Sequence, residues 1–367
     1  MAIKDYKSDS IDLRNFPTTR YQGSKRKIIP WIYDITKRLE FSSVLDAFGG
    51  TGIVSYLFKK MGKSVTFNDI LRFNYLTGKA IIENQDIKLT EEDINNLINN
   101  TYKHLGFNFI QDNFRDIYYL NNENKWLDST IGRINSLNSH KPKALEYKKS
   151  IAYRALFQSC LIKRPFNLFH RKNLNLRTNL VKRKFGNKTT WDKPFQKHYI
   201  NFIEETNRLI FNSHTRCKAI NKDVLEIVEN NFDLVYLDPP YYRKESSNET
   251  SNYLKCYHFL EGIADYNNWR KYIDLNTQNL TFKKEFIPPE QSEANIKECF
   301  EQLFSKFHSS IIVLSYKRGG VPSVDYLQKL MRKFKKNVYS LSIQYNYALN
   351  RQNGETKKNR EVLIIGL

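Results

Sequence analysis

The sequence predicts an α/β fold: a mostly parallel sheet with helices on both faces, interrupted by a long insert of helices and loops. Two observations carry this. Short apolar runs bounded by turn residues stand at both ends of the chain, with helical stretches between several of them. Strand–helix alternation of that kind builds a parallel sheet covered on both sides. The stretch 76–216 is instead polar, rich in Asn, Lys and aromatics, and has no strong strand signal.

Strands are expected at 43–46, 64–68, 232–238, 310–315, 338–344 and 361–366, each a short apolar run. Helices are expected at 27–39 and 53–61. The sheet domain is therefore discontinuous, made of 1–75 and 217–367, with 76–216 inserted. At 367 residues the chain has ample apolar material for a core, and it contains no internal repeat and no low-complexity tract.

The net charge is +21 and the pI about 9.6. Such an excess points to a polyanion, either nucleic acid or an anionic membrane. No apolar run approaches the ~20 residues of a spanning helix. The first ten residues are polar, without a secretory apolar region. The expectation is a cytoplasmic protein with no membrane partner. Cys160, Cys217, Cys256 and Cys299 lie far apart and form no C-x-x-C pair, so neither a metal site nor a disulfide framework is expected.

The first candidate site follows the 43–46 run. Ala47-Phe48-Gly49-Gly50-Thr51-Gly52 leads straight into the helix beginning at Ile53. Glycines at a strand-to-helix turn allow tight backbone conformations and close approach of a ligand. Asp69, at the end of the next strand, stands at the spacing of an acid that accepts from ribose hydroxyls. The third glycine of a dinucleotide loop is missing, as is any Walker lysine, which favours a nucleoside without phosphate such as S-adenosylmethionine. An ordinary glycine-rich turn beside an unrelated aspartate gives the same residues.

A second site begins where the strand 232–238 runs into Asp238-Pro239-Pro240-Tyr241. Ligands of parallel sheets bind beyond the carboxyl ends of strands. Two prolines donate no hydrogen bonds, so the carbonyls here are left to accept. An amine with two N–H groups suits the Asp238 carboxylate and the Pro239 carbonyl, and Tyr241 offers a flat face to a base. The third site, Arg20-Tyr21-Gln22-Gly23-Ser24-Lys25, precedes the first helix; Ser24 also suits a plain helix cap.

The segment 163–197 holds eleven Lys/Arg (Lys163, Arg164, Arg171, Lys172, Arg177, Lys182, Arg183, Lys184, Lys188, Lys193, Lys197) against one acid, Asp192. The difference, 11 − 1, is +10. Aromatics are interleaved: Phe166, Phe169, Phe185, Trp191 and Phe195. Phosphate clamps beside flat inserting or stacking groups suit DNA, although shorter basic runs are usually solvated faces. Arg164, Asn167, His170, Arg171, Asn173, Arg177, Lys182, Arg183 and Lys184 are the candidate contacts.

Taken together, Tyr21-Gln22-Gly23-Ser24-Lys25, Phe48-Gly49-Gly50-Thr51-Gly52 and Asp238-Pro239-Pro240-Tyr241, in this order and with a long insert before the last, resemble the Dam-like, alpha-group adenine-specific DNA methyltransferases. The resemblance implies a Rossmann-like S-adenosylmethionine methyltransferase sheet with an inserted target-recognition domain at 76–216. It implies that Tyr21 and Lys25 touch the cofactor and that Phe48, Gly50 and Gly52 form its main loop. Asp69 would bind its ribose, and Asp223 and Val224 would meet its adenine, although Asp223 also suits a cap on a helix at 225–229. Ser315-Tyr316 ends a strand as in the family's later motifs, and His258 reads better as a core histidine than as a pocket residue.

The implied reaction moves a methyl group from S-adenosylmethionine directly to the N6 amine of a flipped-out adenine in a specific double-stranded sequence. Asp238, Pro239, Pro240 and Tyr241 carry the chemistry, and Tyr241 stacks through its ring alone. The implied setting is a bacterial or phage restriction-modification system, with a cognate restriction endonuclease as second partner. Two rival readings stand beside it: an RNA base N-methyltransferase, and a catalytically silent DNA-binding subunit on the same scaffold.

Overall fold

A computed structural model describes residues 13–99, 107–179, 188–241, 252–288, 292–344 and 360–367. The chain divides into two compact units. One comprises 1–70, 213–252 and 289–367; the other comprises 71–212 and 253–288.

The first unit is built on seven strands: β1 (Ser43–Asp46), β2 (Ser64–Asn68), β3 (Lys218–Ile220), β4 (Leu234–Leu237), β5 (Ile311–Lys317), β6 (Val338–Gln344) and β7 (Arg360–Gly366). Their order in the sheet is β3-β2-β1-β4-β5-β7-β6. β3, β2, β1, β4 and β5 pair in parallel, whereas β7 lies antiparallel between β5 and β6. Six of these strands are where the apolar runs put them. The seventh, β3, went unpredicted because three residues beginning with Lys218 are too short to show a period.

Side chains alternate across the sheet. On one face, Leu45, Val235, Leu237, Ile312, Leu314 and Ile364 form a core with the helices Glu293–Lys306 and Val324–Met331. Ile296, Phe300, Leu303 and Phe304 place the first of these helices there through their 3.6-residue spacing. On the opposite face, Ser55 of the helix Ile53–Lys60 donates to Asp46 through both its N–H and its hydroxyl, at 3.1 and 2.6 Å. The expected helix at 27–39 is a 3-10 turn, Lys25–Ile28, running into an α-helix, Ile29–Thr36. The expected helix at 225–229 is a single 3-10 turn, Val224–Glu226, since Ile227 is already extended.

From β1 the chain moves outward through β2 to β3, then returns to place β4 on the other side of β1. This reversal opens a crevice at the carboxyl ends of β1 and β4, where ligands of open α/β sheets bind. Asp46 pairs with Tyr236, so the loops that follow the two strands leave the sheet at one level.

The second unit is helical, with Asn121–Asn135, Pro142–Ile162, Phe195–Leu209 and Tyr253–Ala264 its longest helices. Its core is aromatic: Phe114, Tyr118, Phe259 and Trp269 meet with ring centroids 4.9–5.9 Å apart. Gly262 is needed here, since a Cβ at that position would lie 1.9 Å from the Trp269 ring. This unit takes in 253–288 as well as the inserted stretch, a return excursion that the sequence had assigned to the sheet domain. Among the described residues no helix is long and apolar enough to cross a membrane.

Candidate active site

The glycine loop sits at the carboxyl end of β1 and is fixed by backbone bonds. Gly49 N–H donates to the Asn68 carbonyl at 2.7 Å and Gly52 N–H to the Gly49 carbonyl at 2.8 Å. Gly50 and Gly52 have φ of +51° and +72°, a region that L side chains rarely adopt. A Cβ on Gly49 would lie 2.1 Å from the Phe67 ring, and one on Gly50 would lie 3.4 Å from the ring of Tyr21. The N-terminal motif and the glycine loop, distant in sequence, are thus brought together.

Asp69 is buried, and its Oδ2 accepts the Gly50 N–H at 2.8 Å. Its carboxylate therefore fixes the loop as well as lining it. Sequence reasoning passed over Asn68, whose Nδ2 donates to the Ala47 and Lys222 carbonyls while its Oδ1 accepts from Lys222 N–H. One amide ties the glycine loop to the segment that carries Asp223 and Val224. A buried polar residue ending an apolar strand was the available signal. Asp223 itself is exposed and caps the turn by accepting the Leu225 N–H at 2.9 Å. Val224 is buried in the apolar core, with Phe48 packed against the same cluster.

At the end of β4, Asp238 and Tyr241 meet Lys25 and Glu361. The Lys25 ammonium lies 2.8 Å from Asp238 Oδ1, 3.2 Å from Glu361 Oε1 and 2.8 Å from the Tyr241 hydroxyl. The resemblance assigns Lys25 to the cofactor; the structure seats its ammonium against Asp238 and Tyr241. The Tyr241 hydroxyl is 2.6 Å from Asp238 Oδ1 and 2.8 Å from Glu361 Oε1, so the two carboxylates share its single proton. Ser315 Oγ also donates to Glu361 Oε1, at 2.9 Å. The Tyr241 ring packs edge-on against Tyr316, with centroids 5.4 Å apart. Its hydroxyl is thus engaged by three charged groups, contacts that the expectation of a ring-only role did not include.

Both polar contacts of Asp238 fall on Oδ1; among the described residues Oδ2 takes no hydrogen bond. The Asp238 side chain keeps 18% of its surface exposed. Burial raises the Asp238 carboxyl above its ordinary range, the Glu361 charge adds to this, and Lys25 opposes it. Burial acts to lower the Lys25 ammonium, but Asp238 and Glu361 outweigh it and hold the group well above its usual value. Asp46 is pushed up to about 7, first by burial and then by the charges of Asp238 and Asp69, with Ser55 opposing.

In the second unit the basic segment divides into buried and exposed cations. Arg164 is 1% exposed; its guanidinium donates to the carbonyls of Leu168, Arg171 and Lys172 and lies 4.6 Å above the Tyr118 ring. Arg177 and Lys163 are also buried, both paired with Glu123 at 2.8 and 2.7 Å. These cations hold the segment together and do not reach its surface. Arg171 is exposed, Asn167, His170 and Asn173 are half-buried, and Lys182, Arg183, Lys184 and Phe185 lie outside the described residues. Phe169, Trp191 and Phe195 belong to the core, whereas Phe166 is 49% exposed in a left-handed conformation, φ +62°, followed by Asn167 at +57°. His258 is a core residue, 2.9 Å from the Tyr118 hydroxyl, and burial lowers its imidazole to about 3.

Comparison with known proteins agrees with this geometry. A family model described as D12 class N6 adenine-specific DNA methyltransferase matches residues 21–261, from Tyr21 past the Asp238 loop. The chain is 26% identical to the type II methyltransferase M2.HphI of Haemophilus parahaemolyticus, over 95% of this chain and 97% of that one. It is 26% identical to modification methylase StsI of Streptococcus sanguinis over 86% of its length, and 24% identical to modification methylase LlaI of Lactococcus lactis over 94%. It spans about half of each of these two, 46% and 54%. Three motifs converge on the switch point of one sheet, and the family match runs through all of them: the chain belongs to the D12 class of N6 adenine-specific DNA methyltransferases.

Proposed function

We propose that this chain uses S-adenosylmethionine to methylate adenine N6 in a specific double-stranded sequence, by direct transfer to a flipped-out base. The observation that carries the reading is Asp238: Oδ1 is held by Lys25 and Tyr241, and Oδ2 is left for the substrate. Oδ2 accepts one N–H of the adenine amine and the Pro239 carbonyl the other, which turns the nitrogen lone pair out of conjugation. Positioned acceptors of this kind act where charge develops. The proton lost from nitrogen after transfer goes to Asp238, a carboxylate already raised by burial.

The residues present suit a sulfonium nucleoside. Asp69, buried against the glycine loop, puts a carboxylate there, which favours a cation and opposes a phosphate. S-Adenosylmethionine supplies an electrophilic methyl group. Tyr21 and Phe48 offer flanking ring surface, Asp69 a ribose acceptor, and Asp223 and Val224 an adenine edge. Asp69→Ala is expected to weaken S-adenosylmethionine binding by roughly 1.5–3 kcal/mol, the value of a charge-assisted bond. Calorimetry showing unchanged affinity would remove Asp69 from the site.

The second unit is proposed as the target-recognition domain. Exposed Arg171 and Lys172, with Lys182, Arg183 and Lys184, supply phosphate contacts, while Asn167 and His170 are the candidates for base edges. Phe166 is the aromatic placed to insert or stack. Replacing Lys182, Arg183 and Lys184 together by alanine is expected to flatten the salt dependence of DNA binding by up to about 0.9 per lost phosphate contact. An unchanged slope would make the cluster a solvated loop.

Family membership favours DNA over RNA as the substrate. Two of the relatives are named modification methylases, which supports a restriction-modification setting with a cognate endonuclease. The test is expression in a host without adenine methylation, followed by sequencing that detects modified bases. N6-methyladenine confined to one sequence motif is expected; unmodified DNA would favour the silent subunit.

A further inference from the structure

We infer that Glu361 is a positioning residue of the methyl-transfer site, drawing Lys25 and Tyr241 to one side of Asp238 so that Asp238 keeps one oxygen open for the substrate amine. This rests on the reading of Asp238 given above. Glu361 is the second residue of β7, paired with Lys317 of β5 and Ile343 of β6, with only apolar residues and glycine after it in the strand. It has no exposed surface. A buried carboxylate without compensation is costly. Here Oε1 faces the Lys25 ammonium, the Tyr241 hydroxyl and Ser315 Oγ within 3.2 Å.

The arrangement is a competition. One ammonium lies between two carboxylates, and one phenolic proton is shared between the same two. Without the Glu361 charge, Lys25 would have Asp238 as its single carboxylate partner in the cluster and would close on both its oxygens. The substrate amine would then meet an acceptor already in use. The bonds of Glu361 named above go to Lys25, Tyr241 and Ser315, while the glycine loop is held by Asp69 and by its own backbone. Its effect is therefore expected on turnover and not on donor binding.

The groups facing Asp238 are Lys25 from the N-terminal turn, Glu361 from β7, Tyr241 of its own loop, Tyr236 on β4 and Asp46 at the end of β1. Glu361 is the negative charge that shares the lysine. Its removal should let Asp238 ionise at lower pH even as the oxygen becomes less available. A merely structural residue would not produce that pairing of effects.

The test is Glu361→Gln in the full-length protein, assayed for methyl transfer to duplex DNA across pH beside wild type. Turnover is expected to fall about tenfold, the equivalent of roughly one hydrogen bond. The acid limb of the turnover profile should move to lower pH, with the S-adenosylmethionine dissociation constant unchanged. An unmoved acid limb, or a loss confined to donor binding, would overturn the proposal. Should Glu361→Gln not fold, a double-mutant cycle of Ser315→Ala and Tyr241→Phe tests the same point. Both side chains meet at Glu361 Oε1, so non-additive losses in turnover are expected and additive ones count against it. Wild type anchors both experiments: if it does not methylate adenine, the underlying reading fails; if it does and the variants behave independently, only this inference fails.

Discussion

Asp238→Ala is expected to lower methyl-transfer turnover about 10²–10³-fold, the usual cost of a positioned acceptor, while S-adenosylmethionine affinity stays near wild type. The substitution removes Oδ2, which would hold the amine, and Oδ1, which anchors Lys25 and Tyr241. The Pro239 carbonyl remains, but one acceptor cannot both orient the amine and take up its developing charge. Tyr241 provides the companion test. Its hydroxyl is bonded to Lys25, Asp238 and Glu361, so Tyr241→Phe should lose turnover despite keeping the ring. Tyr241→Ala should lose roughly a further 1–3 kcal/mol of base stacking. Steady-state rates beside calorimetric donor affinity check both. Near-normal turnover in Asp238→Ala would sink the mechanism, and full activity in Tyr241→Phe would show that the hydroxyl contacts are idle.

The second large effect is expected at Arg164. Arg164→Ala removes a buried guanidinium and leaves the carbonyls of Leu168, Arg171 and Lys172 without its donors. It also loses the stack on the Tyr118 and Phe169 rings. Hydrogen bonds to charged groups are worth about 1.5–3 kcal/mol each, so a loss of ~3 kcal/mol or more in stability is expected. These bonds hold the turn in which Phe166 and Asn167 stand in left-handed backbone. Such a conformation costs of order 1–3 kcal/mol per residue and persists where its surroundings impose it. DNA affinity should fall with the turn, because the backbone of Arg171 and Lys172, the proposed phosphate contacts, is held by the same guanidinium. Thermal unfolding and salt-titrated binding measure the two. Unchanged stability with a flattened slope would make Arg164 a phosphate clamp instead.

Arg164 also marks the limit of what a sequence displays. Its charge and its basic neighbourhood are visible, but whether a guanidinium faces water or three carbonyls is decided by tertiary packing. The same holds for Phe169 and Phe195, which read as stacking groups and are core. The sheet was legible where apolar runs were long enough, and β3, with three residues, was not. The glycine loop and the Asp238 loop were legible because each is a contiguous motif fed by a strand. Glu361 was hidden by distance: 120 residues separate it from Tyr241, and nothing near it in the chain names its partners. A carboxylate directly before the apolar run 362–366 was the available hint.

The helical unit is assembled from two separate lengths of chain, 71–212 and 253–288. On the proposed reading of this unit as the target-recognition domain, sequence specificity cannot be exchanged as one cassette. A chimaera that imports only the longer length from a relative would set foreign counterparts of Phe114 and Tyr118 against the resident Phe259 and Trp269. Recombination that grafts a new recognition unit would have to carry both lengths together, cutting the coding sequence at four places and leaving the Asp238 loop between them untouched.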